Sequence, residues 1–173
     1  MAIEYETKVL DIDKEEILKK LKSLGAEIGE RKLQKRWVFH MGENWWIRLR
    51  DDGYKIMITY KSRKGTGISN TEEIEVEVSD FKEAYKIFSS LGFKAEYYQE
   101  NYRIMCKHND IEFCIDEWPQ IPVLLEIEGT SEEKVKEGLK LLGLEGKDIG
   151  NIGTLEVYSK HNIDLHGVNK LTF

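Results

Sequence analysis

Charged side chains occupy every second position through most strand-like stretches of this sequence, and that spacing restricts its fold more than any other feature. Glu4, Glu6 and Lys8 alternate with Tyr5, Thr7 and Val9; Arg48 and Arg50 alternate with Ile47 and Leu49; Glu73, Glu75 and Glu77 alternate with Ile74, Val76 and Val78. The pattern continues at Lys61 with Thr59 and Met57, Arg103 with Asn101 and Gln99, Asp116 with Cys114 and Glu112, and Glu126 with Glu128. Successive residues of a β-strand point to opposite faces, so each charged set lies on one face and an apolar row on the other.

The alternation predicts strands over Ile3–Leu10, Leu33–His40, Trp45–Arg50, Tyr54–Lys61, Glu72–Val78, Tyr97–Cys106, Ile111–Asp116 and Val123–Glu128. Asp51-Asp52-Gly53 and Lys107-His108-Asn109-Asp110 read as hairpin turns. Helical spacing takes over after Asp13 (Ile17, Leu18, Leu21, Leu24), after Asp80 (Phe81, Ala84, Tyr85, Phe88, Leu91) and after Ser131 (Val135, Leu139, Leu142). Each run starts on a capping side chain and ends at a glycine: Gly25, Gly92 or Gly143. A fourth helix is expected near Thr154–His161. Strand, capped helix and Leu-Gly recur in three places, as a pseudo-symmetric sheet with outer helices would require.

An ordinary sheet of this kind turns its charges to water and pairs them across strands. Here the opposite faces are apolar enough to receive the helices, so the sheet can instead close with its charges inside, where they need partners or ligands. The expected fold is therefore α+β: an antiparallel eight-stranded β-barrel with helices packed outside, in one domain over residues 1–173. Of the residues, 34% are charged and the net charge is −6. That balance argues against a nucleic-acid polymer or an anionic membrane as partner. No apolar run approaches the roughly 20 residues of a membrane helix, and the N-terminal Met1-Ala2-Ile3-Glu4 has no signal-peptide pattern. The expected location is cytoplasmic. Cys106 and Cys114 lie on successive strands and are expected to be reduced, packed thiols.

An interior with acids and bases in separate doublets suits a polyphosphate with a divalent metal. Carboxylates hold Mg²⁺ while phosphates complete its coordination; arginines grip phosphate oxygens in pairs and lysines act as point charges.

Glu4-Tyr5-Glu6-Thr7-Lys8 resembles the ExExK signature of the CYTH superfamily, the triphosphate tunnel metalloenzymes. The resemblance continues in order through Trp46-Ile47-Arg48-Leu49-Arg50, Thr59-Tyr60-Lys61, Glu73-Ile74-Glu75, Arg103, Ile115-Asp116 and Glu126-Ile127-Glu128, covering most of residues 3–142. It implies a β-barrel tunnel binding Mg²⁺ or Mn²⁺ through Glu4, Glu6, Asp116, Glu126 and Glu128. Lys8, Arg48, Arg50, Lys61 and Arg103 would grip the triphosphate; Lys8, Glu4 and Glu6 would form the catalytic set, with Glu73 and Glu75 in support. Three departures are visible. Asn101 stands where many relatives carry a lysine, which would weaken one phosphate contact. Glu117-Trp118-Pro119-Gln120-Ile121-Pro122 replaces a Gly-rich turn, and the His-Phe pair preceding ExExK in class IV adenylyl cyclases is absent. The resemblance implies a metal-dependent triphosphatase, a phosphohydrolase acting on inorganic, thiamine or nucleoside triphosphate, as monomer or homodimer. The alternatives are a class IV adenylyl cyclase making cyclic AMP from ATP, or a polyphosphate- or nucleotide-binding module without turnover. Trp46 would stack on an organic group or pack the barrel end, and the basic loop 62–70 would be a flap or a solvated hairpin.

Overall fold

Local sequence and tertiary packing agree along most of the chain. The computed structural model describes residues 2–173; Met1, with which the N-terminal and domain readings begin, lies outside them. Strand β1 (Ala2–Val9) leads through Asp11, in the left-handed region at φ 54°, to α1 (Lys14–Ser23). Asp13 caps α1 by accepting from the Glu16 amide, and Gly25 at φ 74° carries the chain out of it. Strands β2 (Glu27–His40), β3 (Trp45–Asp51), β4 (Ile56–Arg63) and β5 (Thr71–Val78) follow. Next comes α2 (Phe81–Ser90), capped by Asp80. After it run β6 (Tyr97–His108), β7 (Ile111–Glu117), β8 (Leu124–Gly129) and α3 (Glu132–Leu142), capped by Ser131. The chain ends with α4 (Thr154–Lys160) and the two-residue β9 (Lys170–Leu171).

The strands are hydrogen-bonded in the order β2-β3-β4-β5-β1-β8-β7-β6, and a β2–β6 pairing closes the ring. The eight strands make the antiparallel barrel that the alternation predicts, with helices outside it. Two elements differ from the sequence reading. Strand β2 starts six residues earlier than Leu33, because its irregular first part, broken in register between Ile28 and Arg31, pairs with the far end of the long β6. Strand β9 continues the β7 side of β6 beyond the end of β7, pairing parallel with Tyr98 and Gln99. Two residues are too short for any periodicity to reveal.

Helices α1 and α3 cover the apolar outer face of β1, β8, β7 and β6, burying Ile17, Leu21, Phe113, Leu125, Ile127, Val135 and Leu139. Contact is close: a Cβ on Gly138 of α3 would lie 2.7 Å from Cγ2 of Ile127. A second cluster under α2 contains Phe39, Leu49 and Ala84. Because the apolar rows are taken up outside, the ring's inner face is charged. Leu125 is fully buried, so Leu125→Ala should destabilise the fold by about 2–5 kcal/mol. Urea unfolding would show this as a lower midpoint with unchanged slope. Among the described residues, no helix is long and apolar enough to cross a membrane.

Candidate functional site

The barrel encloses a cavity of about 850 Å³ lined by the inward-facing row of every strand. In strand order β1 and β8 lie across the ring from β2 and β3. One wall therefore carries mainly carboxylates and the opposite wall mainly guanidiniums.

On the acidic wall, pairing of β1 with β8 sets Glu6 directly opposite Glu128 and Lys8 opposite Glu126. Glu6, Glu126 and Glu128 each present an oxygen within 4.8 Å of the others. Like charges this close in a buried site repel. Burial, Glu126, Glu6 and Glu4 push the Glu128 carboxyl up to about 8. Burial and Glu126 also raise Glu6. Burial acts on Glu126 too, but Arg103, Lys8 and Lys61 outweigh it and hold that carboxyl well below the usual range. Lys8 bridges the group, with Nζ 2.7 Å from Glu6 and 3.4 Å from Glu126. Three convergent carboxylates with excess negative charge and hard oxygen donors fit a divalent cation such as Mg²⁺ or Mn²⁺.

The other expected metal ligands are engaged elsewhere. Both oxygens of Glu4 accept from Lys61 Nζ, at 2.6 and 2.8 Å. Asp116 accepts from Arg103 Nε at 2.7 Å and Nη2 at 2.5 Å, and from Asn101 Nδ2 at 3.0 Å. Arg103 also donates to Glu126 at 3.0 Å. Burial alone would lower Arg103, yet Asp116, Cys114 and Glu126 outweigh it and hold the guanidinium well above its ordinary value. Lys8, Lys61 and Arg103 are thus ion-paired, while among the described residues Arg48 and Arg50 reach no carboxylate closer than Glu75, at 3.7 and 3.9 Å. Glu75 accepts from Thr59 Oγ1 at 2.7 Å, and Glu73 lies 3.4 Å from Lys61. Glu77, on the same face, is exposed and does not line the cavity.

The strand-by-strand reading missed several lining residues. Arg36 and Gln34 of β2 line the cavity and are buried, beside the buried Asn101 of β6, which shares the face of Arg103 as the spacing predicts. Arg36 Nη2 donates to Gln34 Oε1 at 3.1 Å and to Asn101 Oδ1. The Nε atoms of Arg36, Arg48 and Arg50 are buried without a protein partner. Burial, then Arg48 and Arg50, depress Arg36 well below the ordinary arginine value; burial, Arg48 and Arg103 bring Arg50 to about 10. A spacing-two signal existed at Gln34 and Arg36, but Lys35 between them blurs which face is charged.

The expected fourth helix is present as α4, but the part its segment plays in the cavity carried no sequence signal. The Ile149 amide donates to the Lys8 carbonyl at 2.9 Å, and Asn151 accepts from Lys8 Nζ at 3.4 Å and donates to Thr71 Oγ1 at 3.1 Å. Tyr158 donates to the Pro119 carbonyl at 2.6 Å and meets Trp118 edge-on. The loop replacing the expected Gly-rich turn therefore seats α4 against the cavity. Loop 62–70 is docked as well. Its Thr66 carbonyl accepts from the Asn151 amide, and Arg63 pairs with Glu156 at 3.0 Å. Trp46 lines the cavity, 5.8 Å below the Arg63 guanidinium. Cys114 lines the cavity whereas Cys106 belongs to the outer core, so the two thiols face opposite sides of the sheet.

Glu128 gives the acidic wall a pH signature. Between about pH 4.5 and 8 the folded chain retains a proton that the unfolded chain has released. This group's contribution to stability is present below that window and is lost as pH rises through it. In chelator, Glu128→Gln should therefore melt at a temperature that climbs relative to wild type from about pH 5 to about pH 8. A constant offset across those pH values would show that the carboxyl titrates normally.

The profile described as "CYTH domain" matches residues 2–149. A Methanocaldococcus jannaschii protein named "Putative adenylate cyclase MJ0240" is 31% identical over 175 residues, covering 96% of this chain and 99% of its own. The structure of the PH1012 protein of Pyrococcus horikoshii OT3 superposes with a TM-score of 0.78 at 26% identity, covering 89% of this chain and 98% of that one. A Hippeastrum protein described as "Putative adenylyl cyclase HpAC1" with "a dominant triphophatase activity" shares the fold, with a TM-score of 0.56, 18% identity and 98% coverage of both chains.

Proposed function

The chain belongs to the CYTH domain family, and from that premise we propose that it is a divalent-metal-dependent phosphohydrolase acting on a triphosphate inside its barrel. The observation that carries the reading is the facing of two walls. Arginines with free Nε donors stand across one cavity from three converging carboxylates. A pure anion-binding module needs only the first wall.

Arg48 and Arg50 grip phosphate oxygens through charge-assisted hydrogen bonds. Glu6, Glu126 and Glu128 hold Mg²⁺ or Mn²⁺, with Glu4 and Asp116 available once Lys61 and Arg103 turn to the phosphates. When bound, the cation neutralises charge on the phosphate oxygens and lowers the pKa of a coordinated water. Lys8 keeps its proton, because Glu6 and Glu126 raise its pKa despite burial, and it orients the carboxylates and meets developing negative charge. Glu75, fixed by Thr59, and Glu73, beside Lys61, align the basic side chains. Docked α4 and the docked 62–70 loop limit entry of bulk water. The reading takes residues 1–173 as one cytoplasmic domain whose partner is a small triphosphate rather than a nucleic-acid polymer or a membrane. The part after residue 149 lines the same cavity.

The name of the 31% identical relative favours a second reading, cyclisation of ATP, in which the ribose 3′-hydroxyl attacks the α-phosphorus and pyrophosphate leaves. Purified protein with Mg²⁺ or Mn²⁺ should release phosphate from tripolyphosphate, thiamine triphosphate or ATP without forming cyclic AMP. Cyclic AMP would reverse the order of the readings. Binding without either product would leave a module.

A further inference from the structure

Arg36 lies outside the ExExK-type motif series, yet the barrel brings it to the arginine wall. It stands on β2 directly opposite Arg50 of β3, in the same ladder that pairs Val38 with Arg48. Two guanidiniums facing each other across adjacent strands repel, and Arg36 is only 6% exposed. The contacts made by its charged group are neutral. Nη2 donates to the side-chain carbonyls of Gln34 and Asn101, and the guanidinium lies over the Trp118 ring at 4.8 Å. These contacts fix its position without neutralising its charge. Asp116, whose charge acts on Arg36, is already engaged by Arg103 and by Asn101, the same amide that holds Arg36.

An arginine kept for packing normally has a carboxylate partner and a satisfied Nε. Among the described residues Arg36 has neither, and its orphaned Nε is matched by those of Arg48 and Arg50. Three like-charged, desolvated donors around one cavity are complementary to an oxyanion, which would supply both the missing charge and the missing acceptors.

We infer that Arg36 is a further phosphate-binding residue, forming with Arg48 and Arg50 a three-guanidinium cradle for one end of a polyphosphate chain; this rests on the triphosphate reading above. Asn101 then serves the cradle by holding Arg36, rather than marking a lost contact.

Tripolyphosphate serves as the probe. Its affinity is read by calorimetry in chelator, and KM and kcat are read with Mg²⁺ or Mn²⁺. Arg36→Gln should weaken binding and raise KM on the order of 10- to 100-fold, with kcat changed far less. Its melting temperature without ligand should equal or exceed that of wild type, because the facing pair is relieved, while the rise produced by tripolyphosphate shrinks. A purely structural arginine would lower the ligand-free melting temperature and leave the affinity of the folded fraction unchanged; that result overturns the inference. Should Arg36→Gln fail to fold, Arg36→Lys keeps the charge and loses the planar fork. Several-fold weaker binding by Arg36→Lys supports the cradle, and unchanged affinity overturns it. Wild type that hydrolyses tripolyphosphate, with Arg36→Gln binding equally well, sinks only this inference. Wild type that binds through Arg36 but turns nothing over sinks only the hydrolase reading.

Discussion

Glu6→Ala is expected to slow metal-dependent phosphate release from tripolyphosphate on the order of 10³-fold while the protein still melts cooperatively. The size of the effect follows from geometry. Glu6 is the β1 member of the converging carboxylates, placed opposite Glu128 and bonded to Lys8. Its removal would take a hard oxygen donor from the proposed cation and free Lys8 from the orientation the 2.7 Å contact imposes. The fold should survive, because the apolar core lies on the other face of the strand and loss of Glu6 reduces the crowding of negative charge that raises Glu128. Mn²⁺ titration by calorimetry supplies the second measurement, with affinity falling in parallel. Turnover and Mn²⁺ affinity both at wild-type levels would make the carboxylate cluster incidental to function. Glu4→Ala should have the smaller effect on Mn²⁺ affinity, since both Glu4 oxygens are bonded to Lys61.

Arg50→Ala acts on the opposite wall and on a different kinetic constant. It should raise KM for tripolyphosphate about 10- to 100-fold, the worth of one lost charge-assisted contact, while Mn²⁺ affinity in the absence of substrate stays near wild type. Arg50 suits this role because it has no close carboxylate of its own: Glu75 is 3.9 Å away and Nε has no protein partner. Lys61 and Arg103, by contrast, would on the proposed function first have to leave Glu4 and Asp116. A parallel loss of metal affinity and substrate affinity in Arg50→Ala would mean that the two walls do not work separately.

Much of this arrangement is legible in the sequence because a strand's side-chain period is two. Glu4, Glu6 and Lys8, Arg48 and Arg50, and Glu126 and Glu128 needed no neighbours to reveal that they share a face. Arg36 was hidden because Lys35 precedes it, so the basic pair Lys35-Arg36 reads as belonging to either face. Its place beside Arg50 is set only by the pairing of β2 with both β3 and β6, which puts Arg36 against Arg50 and Gln34 against Asn101. Asn151 and Tyr158 carried no local signal. Their partners Lys8, Thr71 and Pro119 are far away along the chain. The extra length of β2 was likewise invisible, since its first part is held by β6 through a register break rather than by its own alternation.

By itself, the sequence determined most of the strands, the capped helices, the apolar rows that bury outward and the charged rows left to line a closed ring. Those follow from backbone periodicity and the cost of exposing apolar surface, both local properties. Only the tertiary structure decided which charges meet. Cross-strand register made Glu6, Glu126 and Glu128 one cluster, tied Glu4 to Lys61 and Asp116 to Arg103, and left Arg36, Arg48 and Arg50 with donors to spare. Register is a relation between distant segments, and Coulomb interactions between side chains depend on it at the scale of a single ångström.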